Sequence, residues 1–284
     1  MKKKKILLTG GTGFIGGNIL PILQKKYEVK FPRRNELNIN DESSVDEYLS
    51  NNKFDILIHS ANITPGKNSV DKMENMLEYT IKAFLNFQKH SDKFEKIFYF
   101  GSGAEYDKRK DIVLIKETDI GNSIPVDPYG LAKYVINQIA RGSKNIYNLR
   151  IFGCYGPTDA KTKFIRDCID CCLEHKPITI RQNCYFDYMY VEDLARIIDK
   201  MINSELKYHD YNICTGKRID LLTIAKIIDK KMQNNQGIKI GQEGLNKEYT
   251  ANNARLLSDI GAFDYTCIED GIQKQIDWQK IKVE

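Results

Sequence analysis

The sequence has no apolar run approaching the roughly 18 residues of a membrane span, so no membrane partner is expected. It has no internal repeat and no low-complexity linker. Its charge excess is small: 43 Lys and Arg against 38 Asp and Glu give a net +5 over 284 residues. Outside the N-terminal lysines there is no long basic block, so nucleic acid is not an expected partner, and the mild positive field suits an anionic small substrate. The basic opening Met1–Lys5 leads into Ile6-Leu7-Leu8-Thr9-Gly10 without a signal-peptide core, since glycines interrupt it at once; a cytoplasmic protein is expected. The seven cysteines are an odd number that does not read as a secreted disulfide framework. Cys168, Cys171 and Cys172 form a CxxCC run, but no second ligand pair at similar spacing accompanies it. Buried reduced thiols are expected there rather than a metal site.

What remains is ordinary globular composition, 42% hydrophobic and 29% charged. The length fits roughly two domains or one large α/β domain. Short apolar strands at Lys5–Thr9, Glu28–Phe31, Phe54–His59, Lys96–Gly101 and Ile146–Ile151 alternate with helical patterns at Phe14–Lys26, Ser43–Asn51, Ser69–His90 and Pro128–Gly142. Strands joined by crossover-length helices predict right-handed βαβ units, hence an α/β fold with a doubly wound parallel sheet covered on both faces. After Gly156-Pro157 the texture changes. Helices at Lys163–His175, Val191–Asn203, Leu221–Gln233, Asn253–Ile260 and Ile268–Gln279, with a short strand at Ile178–Ile180, are too irregular to continue the sheet. They predict a smaller, partly interleaved lobe that closes over the carboxyl ends of the strands, where ligands of open α/β sheets bind. The expected division is a dinucleotide-binding domain over 1–157, completed by parts of 184–215, and a substrate lobe mainly over 158–284.

Gly10, Gly13 and Gly16 follow the first strand and open the first helix. Glycine there permits a tight turn, a close approach of backbone to a pyrophosphate and close packing of helix on strand. The pyrophosphate would sit at the helix N-terminus, where unpaired N–H groups and the dipole favour an anion. A purely structural turn is the alternative. The second strand ends in Lys30-Phe31-Pro32-Arg33-Arg34-Asn35, with no carboxylate before Glu36. Two guanidiniums can grip the 2′-phosphate of NADP(H), whereas NAD(H) usually meets Asp or Glu there. A solvated basic turn is the other reading.

Tyr129 and Lys133 are Tyr-x-x-x-Lys at a helix start, so both side chains lie on one face a turn apart. A nearby ammonium favours the phenolate and would lower the Tyr129 pKa towards neutrality. Ser102 lies just past the fourth strand, where its hydroxyl could hold a substrate oxygen in line with Tyr129. A surface pair is the alternative for Tyr-x-x-x-Lys alone.

With these residues in view, the chain resembles the extended short-chain dehydrogenase/reductases, in their nucleotide-sugar epimerase/dehydratase/reductase group. Matching pieces are Thr9–Gly16, His59-Ser60-Ala61, Asn75, Gly101–Tyr106, Pro128–Lys133, Leu149–Pro157 and Asp187–Leu194. The resemblance implies a Rossmann domain with a small C-terminal lobe for a nucleotide sugar. It implies Tyr129 as acid/base, Lys133 on the cofactor ribose, and Ser102 on the substrate oxygen. It also implies a cofactor site drawn from Gly10, Thr12, Gly13, Phe14, Ile15, Gly16, Arg33, Arg34, Asn38, Ser60, Ala61 and Asn75 together with Tyr129 and Lys133.

Departures from the group narrow the reaction. The 4,6-dehydratases carry Asp-Glu directly after the catalytic Ser or Thr, where this chain has Gly103 and Ala104. GDP-fucose synthases carry Cys at the place of Ala104, so 3,5-epimerisation has lost its expected residue, but their Arg-x-Glu-Leu-Asn resembles Arg34–Asn38. Many relatives have Asn at the place of Gly153 and Arg at the place of Phe186. Gly103, Ala104, Lys163, Phe164 and Arg181 are therefore the substrate-side candidates, with surface roles as the alternative for Lys163 and Arg181. The reading is an NADPH-dependent reductase of a nucleotide-linked 4-keto-6-deoxy sugar, in the synthesis of cell-surface polysaccharide sugars. An NAD-dependent 4-epimerase is the alternative, and a non-catalytic dinucleotide sensor a more distant one. Met73, Met76, Leu77, Thr80, Ile81, Phe84, Leu85 and Phe87, with Val135, Ile136 and Ile139, give two helices more apolar surface than one sheet face needs. A homodimer through those helices is expected, as in the resembling group; a fully core role is the alternative.

Overall fold

The computed structural model describes residues 3–62 and 75–283. The first half runs β1 (Lys5–Thr9), α1 (Phe14–Gln24), β2 (Glu28–Lys30), α2 (Glu42–Asn51), β3 (Ile56–His59), α3 (Met76–Gln88), β4 (Lys96–Ser102), β5 (Ile112–Ile115), α4 (Pro128–Arg141) and β6 (Ile146–Ile151). The first residues of the helix expected from Ser69, Met73 among them, lie outside the described residues. Capping residues fix the helix starts. Asp41 accepts the N–H groups of Ser43 and Ser44 at the head of α2, and Asp127 accepts that of Gly130 at 2.9 Å, with Pro128 in the first turn of α4.

The second half runs β7 (Gly153–Tyr155), α5 (Phe164–Leu173), β8 (Ile178–Asn183), β9 (Tyr185–Phe186), β10 (Tyr188–Tyr190), α6 (Val191–Asn203), β11 (Asp210–Ile213), β12 (Ile219–Asp220), α7 (Leu221–Met232), β13 (Ile238–Leu245), β14 (Tyr249–Ala251), α8 (Ala254–Ile260) and α9 (Ile268–Val283). The central sheet is parallel throughout, ordered β2-β1-β3-β4-β6-β11. Strand residues alternate between its faces. Ile6, Leu8, Ile56, Ile58, Phe98 and Phe100 meet α1 and α6, while Leu7, Leu57, Ile97 and Tyr99 meet α2, α3 and α4. Among the described residues no helix is long and apolar enough to cross a membrane.

Beyond Pro157 the chain adds one more strand to the sheet: β11 docks parallel on β6, Asp210–Ile213 against Asn148–Ile151. Its sequence, Asp-Tyr-Asn-Ile, carries no apolar run because Asp210 and Asn212 are spent on buried polar contacts. The two halves exchange strands in the other direction too. β5 pairs with β14 in a small sheet ordered β12-β9-β14-β5. The lobe has its own core, where α5, α7 and α9 pack over β8 through Ile165, Ile169, Ile224, Ile228, Ile272 and Ile276. Cys168 and Cys172 face that core, and burial raises both thiols.

Candidate active site

The chain leaves β1 for β2 on one side and returns to β3 on the other, so the carboxyl ends of β1 and β3 flank the switch in strand order, where a crevice is expected. A cavity of about 510 Å³ opens there, lined by Thr9, Gly10, Thr12, Arg33, Arg34, Asn38, Asn40, Ala61, Asn62, Tyr79 and Thr80 among others. Gly10 sits at φ +71°, and a Cβ on it would lie 2.7 Å from Ala61 N, so only glycine makes this turn against the end of β3. The turn is held by Gly13 N–H donating to Gly10 O at 3.0 Å and Ala61 N–H donating to Thr9 Oγ1 at 3.2 Å. Gly13 precedes α1 without a side-chain cap, so no side chain at that position takes up the first-turn N–H groups around Phe14, Ile15 and Gly16. Arg33 and Arg34 are exposed at the cavity rim. Glu36 accepts the Arg33 backbone N–H at 2.8 Å. Ser60 follows β3 beside Ala61, and Asn75 precedes α3 without capping it.

At the neighbouring strand end, the structure brings Ser102, Tyr129 and Lys133 together. Ser102 closes β4 and starts a tight turn, with its hydroxyl accepting the Ala104 N–H at 3.1 Å and its own N–H donating to Glu105 at 3.0 Å. Tyr129, in the first turn of α4, lies near enough to Ser102 for the serine hydroxyl to bear on its phenol. One turn on, buried Lys133 donates to Tyr99 Oη and to Phe100 O, both at 2.7 Å. Its Nζ is 5.7 Å from the centre of the Tyr129 ring. The expectation that Lys133 pulls the Tyr129 pKa down is corrected here. Burial raises the Tyr129 phenol, with Ser102 opposing. Burial also lowers Lys133 to about 7, opposed by the charge of Glu105. An ammonium stripped of water holds its charge weakly and lends little to a phenol further off. Tyr129 is thus a proton donor as it stands.

The family model described as the NAD dependent epimerase/dehydratase family matches residues 6–214. The chain belongs to that family. Its relatives differ in reaction. A dTDP-D-glucose 4,6-dehydratase of Dictyostelium discoideum is 26% identical over 270 residues, covering 79% of this chain, which spans 61% of that relative's length. Two solved structures share the fold. A UDP-glucose 4-epimerase of Thermotoga maritima with UDP-glucose has a TM-score of 0.84 at 22% identity, covering 99% of this chain and 100% of the other. A GDP-mannoheptose C4 reductase of Campylobacter jejuni with NADP bound has a TM-score of 0.85 at 17% identity, covering 99% of each.

Epimerase/dehydratase family members bind NAD(P), and the crevice fits such a group. Besides the glycine cradle, Asn40 presents a buried side-chain oxygen without a protein partner on the cavity wall, suited to a ligand N–H. Around the Ser102 turn, this family member carries a fully buried polar network. Arg150 of β6 donates to Glu105 at 2.8 Å and to Asp210 of β11 at 3.2 Å, and Asn148 donates to Glu105 at 2.9 Å. Arg255 at the start of α8 reaches Asp210 at 2.7 Å. Glu105 thus ties the Ser102 backbone to the sheet.

The substrate-side candidates separate. Gly103 and Ala104 are buried in the turn itself. Lys163 is exposed just before α5 and Phe164 begins that helix half-buried; Arg181 lies on the exposed side of β8, opposite Ile178 and Ile180. No contact joins Arg181 to Ser102 among the described residues. Sequence reasoning missed Tyr79 and Asn40 on the cofactor side, and it missed Tyr249. From β14, Tyr249 lays its hydroxyl over Gly103, beside Ser102. Phe186, where many relatives have Arg, stacks with Tyr188 at 5.5 Å and meets Tyr249 at 5.6 Å. That wall of the site is therefore aromatic rather than cationic.

Proposed function

We propose that the protein is an NADPH-dependent reductase of a nucleotide-linked 4-keto-6-deoxy sugar. The supporting observation is the cavity rim. Arg33 and Arg34 line it where a 2′-phosphate would lie, and the nearest carboxylate, Glu36, is engaged by the Arg33 backbone rather than offered to a ribose hydroxyl. Gly103 and Ala104 leave the turn without side chains for elimination or C3/C5 deprotonation, so the chemistry is confined to the carbonyl. When bound, NADPH supplies hydride to C4.

The chain's own residues do the rest. Ser102 holds the carbonyl oxygen by its hydroxyl. Tyr129, kept protonated by burial, donates its proton to that oxygen as negative charge develops. Lys133 is anchored by Tyr99 and the Phe100 carbonyl on the cofactor side of Tyr129, suited to ribose hydroxyls. The lobe presents Phe186, Tyr188 and Tyr249 to the deoxy sugar. The setting we propose is a cytoplasmic homodimer, paired through the outer faces of α3 and α4, that supplies sugars for cell-surface polysaccharide.

The deciding experiment mixes purified protein with NADPH and GDP-, dTDP-, CDP- and UDP-linked 4-keto-6-deoxy hexoses. Consumption of NADPH with one of them supports the reading. Protein that purifies with NAD tightly held and interconverts C4 epimers would replace it with a 4-epimerase.

A further inference from the structure

Two phenols face the Ser102 hydroxyl. Tyr129 comes from the first turn of α4 and Tyr249 from β14, each near enough for the serine hydroxyl to bear on its phenol, and the Tyr249 hydroxyl packs over Gly103, the residue next to the serine. The approach of Tyr249 depends on residue 103. A Cβ there would lie 2.2 Å from Tyr249 Oη and 2.7 Å from its Cζ, closer than any real contact, so a glycine at this position gives the ring its place. The ring is also fixed from other directions. Tyr249 pairs with Ile112 of β5 on one edge and Phe186 of β9 on the other. Its ring lies 5.0 Å from Phe152 and 5.6 Å from Phe186, centre to centre.

A serine hydroxyl has one proton and two lone pairs. One lone pair of Ser102 takes the Ala104 N–H. The second lone pair and the proton remain for Tyr129, Tyr249 and a substrate oxygen. A donor on the second lone pair leaves the Ser102 proton a single use, on the Tyr129 side. Burial holds the Tyr249 phenol far above its ordinary range, so it keeps its proton and has it to donate.

We propose that Tyr249 is a positioning residue: its phenol donates to Ser102 Oγ and so directs the Ser102 proton to the oxygen that Tyr129 protonates. Gly103 is the residue that admits it. The proposal rests on the reading of Ser102 and Tyr129 given above, but it can be tested apart from turnover.

Protein labelled at tyrosine 13Cζ shows the Tyr129 carbon by NMR, identified by its loss in Tyr129→Phe. Tyr249→Phe keeps the ring and should shift that signal, because the Ser102 proton, no longer directed to the Tyr129 side, is free to turn away from it. In a Ser102→Ala background the same substitution should leave the signal in place. An unmoved signal in Tyr249→Phe, or an equal shift without Ser102, overturns the proposal. A milder partner is Gly103→Ala, which crowds the Tyr249 hydroxyl away and should give the same shift should Tyr249→Phe not fold. In kinetics with NADPH and the ketosugar that the wild type reduces, Tyr249→Phe should lower kcat about tenfold, the share of one hydrogen bond. The KM should stay within about twofold, and the loss should vanish in the Ser102→Ala background. Full kcat in Tyr249→Phe overturns the positioning role. Should the wild type reduce no ketosugar, the functional reading fails while the NMR comparison still decides the place of Tyr249.

Discussion

Tyr129 and Lys133 sit one helical turn apart, yet burial moves their pKa values in opposite directions: it raises the phenol and lowers the ammonium to about 7. Tyr129→Phe removes only the proton donor. Turnover should fall by orders of magnitude while NADPH affinity stays within about twofold, measured by steady-state kinetics beside a fluorescence titration. Lys133 leaves a signature in stability. With its folded pKa near 7 against an ordinary 10.5, the unfolded chain holds a proton across that interval that the folded chain has given up. Stability therefore rises with pH through the window, and the full penalty of the buried ammonium remains below it. Urea unfolding of wild type and Lys133→Met from about pH 7.5 to about pH 9.5 should show the wild type gaining on the variant as pH rises. A constant difference would mean that the lysine is charged throughout.

Elements place these residues, and here sequence pattern and structure part in instructive ways. β1, β6 and α6 were legible to the residue because an apolar strand between polar flanks, or a 3.6-residue stripe, has one physical solution. β11 and β14 were not. Their buried faces carry Asp210, Asn212 and Thr250, whose burial depends on partners far along the chain, Arg150 for the first two and the Leu114 backbone for Thr250. Ser102, Tyr129 and Lys133 were legible because spacing and strand ends reveal them, whereas Tyr249 acts across the lobe and no local spacing marks it. The turn after β2 was legible as well, and it makes a direct prediction. Replacing Arg33 and Arg34 by Ser should weaken NADPH binding by at least about tenfold, given about 1.5–3 kcal/mol for each charge-assisted bond, and leave NADH nearly unchanged. Equal losses for both cofactors in calorimetry would assign the arginines to the turn alone. On α3, Met76, Thr80, Phe84 and Phe87 are consumed by packing, but Leu77 and Ile81 stay half-buried and Leu85 is 41% exposed. If that outer face pairs with a second copy, light scattering at micromolar concentration should give a dimer, and Leu85→Lys should shift it towards monomer. A monomeric wild type would leave the face as plain surface.

Across the whole molecule, the two halves are joined by charge as well as by strands. Arg150, fully buried, bridges Glu105 of the Ser102 turn and Asp210 of the late strand β11, and Arg255 extends the chain of contacts to α8. Arg150→Met keeps the bulk but leaves buried Glu105 without its cation, while Asp210 keeps Arg255, and should cost about 3–5 kcal/mol of stability in denaturant titration. A loss below about 1 kcal/mol would show that water reaches the network. The exchange of strands has a further consequence, for synthesis. A chain emerging from the ribosome completes β6 with that strand's outer edge bare, because its neighbour lies at 210–213 and β5 waits still longer for 249–251. Open edges of this kind pair with other chains. The nascent first half thus carries open strand edges until the later half is made, and the lobe is the segment whose arrival seals the central sheet.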